Sequence, residues 1–148
     1  LNGDIEHWSD RQRHHLESIL AAGLEASDSA AAVGRFLSVE NGRVIVSVPE
    51  GGRESFEAGR VFVLAAGKAA GPMAAAAVGM LGERVLGGLV VTKDGHEVPD
   101  EIRDRGLDVY FASHPEPDER GLEAARRAAE LAESLGEGDL LLCLISGG

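Results

Sequence analysis

Residues 60–73 read RVFVLAAGKAAGPM, and the class of fold follows from this stretch. The apolar run 61–66 has the length and composition of a buried strand, Gly67-Lys68 interrupts it, and the alanine-rich segment from 69 to about 81 reads as a helix. A strand, a glycine turn and a helix in close succession form the repeating unit of a parallel α/β sheet. The unit recurs downstream. Residues 88–92 and 107–112 read as second and third strands, and 139–145 (DLLLCLI) as a fourth. Between the last two, residues 118–135 read as a helix whose expected buried face carries Leu122, Ala125, Ala129, Ala132 and Leu135, with Glu123 and Arg127 spaced to pair on the other face.

The first third of the chain has a different pattern. Ile5, Trp8, Leu16, Ile19, Leu20 and Leu24 recur at helical spacing and predict an amphipathic helix, followed by a shorter one from Asp28 to about Gly34. FLSVE (36–40) and RVIVSVP (43–49) flank Asn41-Gly42, the dipeptide best suited to the two positive-φ positions of a tight hairpin turn. The expected organisation is a helical start at 4–34, a peripheral hairpin at 36–48 and a parallel α/β region at 60–148.

Composition narrows the function. With 14 basic and 25 acidic residues the formal charge is −11, which opposes non-specific binding to nucleic acid or to an anionic membrane. The apolar runs are far shorter than a membrane span, and the start LNGDIEHW lacks a signal pattern, so a cytoplasmic location is expected. The single cysteine, Cys143, lies within an apolar run and reads as a buried structural thiol.

If the four strands are parallel, their carboxyl ends share one edge, where open α/β sheets bind ligands. Those ends carry Gly67-Lys68, then Thr92-Lys93 with Gly95-His96, then Ser113-His114, then Ser146-Gly147-Gly148. Lys68 and Lys93, the two lysines of an acidic chain, both fall there. Gly67-Lys68 precedes a helix start able to receive an anion. It is not a Walker loop, because Phe62 and Ala69 stand where Gly and Ser or Thr are needed, and Gly67 and Gly71 do not fit the dinucleotide fingerprint. Ser146-Gly147-Gly148 could form a nest of N–H groups, with the Ser146 hydroxyl as a further donor. His114 and Asp118 are candidates for the general base by position, although Asp118 also suits a helix cap. His96 reads as a loop residue, while His7, His14 and His15 on the first helix have no plausible partners for a metal.

In order, AAGKAAGPMA (65–74), VVTKDGHEVPD (90–100), ASHPEPDERG (112–121) and DLLLCLISGG (139–148) resemble the glycerate 2-kinase family, once often labelled hydroxypyruvate reductase. The resemblance implies a three-layer Rossmann-like α/β domain with a mainly parallel sheet, and members much longer than this chain, with a second, MOFRL-type domain. On that reading the 148 residues are an amino-terminal fragment, incomplete at the C-terminus, whose second domain is absent.

The implied activity is Mg²⁺-assisted transfer of the ATP γ-phosphate to the 2-hydroxyl of D-glycerate. Lys68 matches the family's essential lysine, and Ser146, Gly147 and Gly148 match the start of its glycine-rich substrate loop. An essential arginine of the family has no match here, and the metal ligands are unassigned. Two alternatives stay open: an NAD(P)H-dependent hydroxypyruvate reductase, and a non-catalytic domain that binds a phosphorylated ligand or a protein. An oligomer is compatible with the sequence.

Overall fold

A computed structural model describes residues 8–49, 51–57 and 59–147. Ile5, His7 and Gly148, named above, lie outside the described residues. In chain order the elements are helices α1 (Asp10–Ala26) and α2 (Ser29–Phe36), strands β1 (Leu37–Glu40), β2 (Arg43–Ser47), β3 (Arg53–Phe56) and β4 (Arg60–Ala66), helix α3 (Ala70–Leu81), strand β5 (Val85–Lys93), helix α4 (Asp100–Asp104), strand β6 (Leu107–Ala112), helix α5 (Glu119–Ser134) and strand β7 (Asp139–Ile145).

The main sheet has the order β6-β5-β4-β7 and is parallel throughout, as the apolar runs predict. From β4 the chain steps through α3 and α4 to β5 and β6, then returns by way of α5 to β7 on the far side of β4. Right-handed crossovers therefore put α3 and α4 on one face and α5 on the other. The reversal makes the carboxyl ends of β4 and β7 the topological switch point, where folds of this type open a ligand crevice.

The core lies between the sheet and α3. Val61, Val63, Ala65 and Val90 meet Ala70, Ala74, Ala77, Val78 and Leu81, with Ile102 of α4 also fully buried. Alanine at successive helical turns lets the α3 backbone approach the strands closely. At the amino ends of β4 and β7, Arg60 donates from Nε and Nη2 to both carboxylate oxygens of Asp139 at 2.6 and 2.7 Å. The Gly136 N–H donates to the same carboxylate at 2.8 Å. These bonds, led by that from Gly136, hold the Asp139 carboxyl below the ordinary carboxylate range.

Four details depart from the sequence reading. The hairpin forms with Asn41 and Gly42 at φ 49° and 79°, but β3 adds a third antiparallel strand to it. That strand, RESF, is exposed along its whole length and so has no apolar alternation to betray it. Helix α1 forms behind a Ser9–Gln12 capping box, yet none of its described residues is buried, and Ile19 is 69% exposed.

In α5 the Glu123–Arg127 pair is present at 3.7 Å, but the inward face is one residue away from the expected one. Ala124 is buried and Leu122 is 53% exposed. The cause is at the helix start: Asp118 accepts from the Gly121 N–H at 2.9 Å, and Gly121 lies close against Ala112, which turns residues 121 and 124 toward the sheet.

Cys143 is exposed rather than buried. Its strand is at the sheet's edge, where Leu140, Leu142 and Leu144 face the core while α5 packs on β5 and β6 and leaves Cys143 and Ile145 uncovered.

Candidate functional site

A cavity of about 190 Å³ opens at the switch point, lined by Gly67, Lys68, Val91, Thr92, Lys93, Ala112, Ser113, His114, Ser146 and Gly147. The four strand ends picked out in the sequence thus converge. Both lysines and His114 line the cavity, and no carboxylate does, in a chain whose net charge is −11. An oxyanion would meet a locally favourable field there.

The turn carrying Lys68 depends on very close approach. Gly67, at φ 109°, donates its N–H to the Val91 carbonyl at 3.0 Å and so prolongs the β4–β5 ladder. A Cβ at Gly67 would fall 2.3 Å from the Ser146 Oγ and 2.4 Å from the Ser146 carbonyl oxygen. Only glycine allows the ends of β4 and β7 to come this near.

Helix α3 follows with Ala69 as its cap residue, which has no side-chain acceptor of its own. The Ser146 hydroxyl supplies one, accepting from the Ala69 N–H at 3.1 Å while it donates to the Ala66 carbonyl at 3.4 Å. The Ser146 N–H donates to the same carbonyl at 2.9 Å. Both Ser146 donors thus serve the fold in this conformation, and Gly147 lines the cavity beside it.

Two groups escaped the sequence reading. His96 places Nδ1 2.9 Å from the Lys68 carbonyl oxygen. Its loop packs against the start of α3, where a Cβ on Gly71 would lie 2.9 Å from the Glu97 carbonyl oxygen. Arg120 donates bidentately to Asp94 at 2.8 and 2.6 Å and from Nε to Asp118 at 2.7 Å, tying the loop after β5 to the loop after β6. Neither contact has a local sequence signal, because each joins residues 26 or 28 positions apart.

Asp118 also accepts from the Ser113 and Gly121 N–H groups, and it does not line the cavity. The Gly121 bond first, then Arg120, holds its carboxyl below the ordinary range, which weakens it as a base. Arg120 depresses Asp94 in the same way, and its own pKa is raised by the two carboxylates.

Among the described residues no group of three or more His, Cys, Asp or Glu side chains could hold a metal ion. Those residues do not fit a protein-built Mg²⁺ cage. Nor is any helix of the described residues long and apolar enough to cross a membrane.

Fold and cavity together define a Rossmann-like α/β domain with a cationic, glycine-shaped pocket at its switch point. Residues 15–148 match the family described as Domain of unknown function (DUF4147), and the chain belongs to that family. The kinship with glycerate 2-kinases expected from the four strand ends is borne out. The chain is 48% identical over 90 residues to the D-glycerate 2-kinase of Thermotoga maritima, a match covering 60% of this chain and 21% of that protein. It is 35% identical over 142 residues to a protein of Agrobacterium vitis that bears a hydroxypyruvate reductase name, covering 95% of this chain and 28% of the relative. A crystal structure of a Pyrococcus horikoshii protein superimposes with a TM-score of 0.75 at 31% identity, over 95% of this chain and 30% of the other. The chain thus spans between a fifth and a third of the length of these relatives.

Proposed function

We propose that the full-length protein containing this chain is a kinase that transfers the γ-phosphoryl group of ATP to the 2-hydroxyl of D-glycerate, giving 2-phosphoglycerate and ADP. The observation that carries the reading is the cavity itself: Lys68 and Lys93 without a carboxylate among the lining residues, beside a helix start. Phosphoryl transfer asks little of a protein beyond positioning and electrostatic stabilisation, and both are what such a pocket supplies. The kinase name of the Thermotoga relative supports the same choice.

In this reading Lys68 neutralises the charge that builds on the transferred phosphoryl oxygens. Gly67 keeps the wall flat enough for close approach, and Gly147, with Gly148 by the family resemblance alone, offers backbone donors to the substrate carboxylate or to phosphate, while Ser146 holds the end of β7 against the Lys68 turn. Lys93 contributes charge, and His114, which lines the cavity, is the remaining candidate to accept the hydroxyl proton. Mg²⁺ would arrive on the nucleotide phosphates, the usual mode for this ion.

We further propose that the 148 residues are the amino-terminal part of the kinase domain, in a cytoplasmic enzyme, and are inactive alone because the family's second basic residue has no counterpart in them. Purified full-length protein should form ADP only when glycerate and Mg²⁺ are both present. Hydroxypyruvate-dependent loss of NAD(P)H absorbance without ADP formation would overturn the assignment in favour of the reductase.

A further inference from the structure

The carbonyl of Lys68 and the N–H of Ala69 belong to one planar trans peptide, so they point in opposite directions. Each is held by a side chain from a different strand end: the carbonyl accepts from His96 Nδ1 at 2.9 Å, and the N–H donates to Ser146 Oγ at 3.1 Å. Rotation of this peptide about its neighbouring dihedrals would break both bonds together. No side chain of the turn itself provides either bond, since Ala69 makes no cap bond and Gly67 has no side chain.

We propose that His96 is a positioning residue for Lys68, acting as one jaw of a two-sided clamp on the Lys68–Ala69 peptide, with Ser146 as the other. The assignment deepens the kinase reading and rests on it only for the role of Lys68. A carbonyl oxygen cannot donate, so Nδ1 carries the proton and, in the neutral ring, Nε2 does not. The loop bearing His96 is anchored at both ends. Asp94 donates its N–H to the Ala112 carbonyl and is gripped by Arg120, and the missing Cβ of Gly71 lets Glu97 and Val98 rest on the first turn of α3.

The clamp is tested in the full-length protein by His96→Asn against His96→Gln. The amide nitrogen of Asn sits close to where Nδ1 sits, whereas that of Gln reaches toward the Nε2 position. His96→Asn should keep kcat within about threefold of wild type, while His96→Gln and His96→Ala lose about 10- to 100-fold in kcat with little change in KM for glycerate, as expected for a displaced catalytic group. Equal activity of the Asn and Gln variants, or an unimpaired Ala variant, overturns the proposal. Should the variants not fold, ¹⁵N-histidine NMR of the wild-type protein decides it. The His96 resonances, assigned directly in the wild-type protein, should show a ring protonated at Nδ1 and bare at Nε2 at a pH where the ring is neutral, and the opposite tautomer refutes the clamp. That measurement stands even if the protein forms no ADP, so failure of the kinase reading and failure of the clamp are separable.

Discussion

Replacing Gly67 by alanine should disturb both stability and turnover, and the size of the effect follows from the geometry. The new Cβ would lie 2.3 Å from Ser146 Oγ and 2.4 Å from the Ser146 carbonyl oxygen, about 1 Å inside ordinary contact. The hydroxyl can rotate away, but only by giving up the Ala69 N–H. The carbonyl is backbone and cannot, so the end of β7 must move or the turn must refold. To this is added the strain of a side chain at φ 109°, about 1–2 kcal/mol. Overpacking of this kind costs a further ~1–3 kcal/mol.

Urea unfolding of the full-length protein should therefore show a loss of about 2–5 kcal/mol, with kcat reduced because Lys68 adjoins the displaced turn. Gly42→Ala is the control, since Gly42 has φ 79° but open space around its Cβ position. It should cost only the strain and leave kcat unchanged. A Gly67→Ala protein no less stable than the Gly42→Ala protein, with normal turnover, would refute the close-approach reasoning.

Other substitutions test separate features. Thr92 is 4% exposed and its hydroxyl has no hydrogen-bond partner among the described residues, so Thr92→Val should raise the unfolding free energy by about 1 kcal/mol, and a comparable loss would show that the hydroxyl serves the fold. Asp139 has a depressed carboxyl pKa in the folded state, so its contribution is fully present above the ordinary carboxylate value and is lost as pH falls through the depressed one. Asp139→Asn should consequently lower stability at pH 7 and flatten the acid limb of a stability-versus-pH curve, and an unchanged limb would contradict the assignment.

What the sequence made legible is what burial writes into composition. Runs such as VFVLAA and DLLLCLI announced a parallel sheet because strands between helical layers are apolar throughout, and their order brought Lys68, Lys93, His114 and Ser146 to one edge. Exposed structure left no such trace. The strand RESF is polar at most positions, and the alanines of α5 fit two adjacent faces equally well until Asp118 and Gly121 fix the helix start. Side-chain roles that depend on loops meeting in space were hidden too. Ser146 reads in the sequence as a ligand-binding residue, and nothing in that reading shows that its hydroxyl also caps α3, just as nothing in the loop around His96 shows that its ring lies against the Lys68 carbonyl.

The central claim is that the switch-point cavity exists to present Lys68 to a transferring phosphoryl group, and Lys68→Ala in the full-length protein tests it most directly. Steady-state ADP formation with saturating glycerate and Mg²⁺ should fall by at least about 10²-fold, the scale of losing one positioned electrostatic group, with the unfolding midpoint unchanged because Lys68 is exposed. Wild-type turnover in that variant would contradict the account.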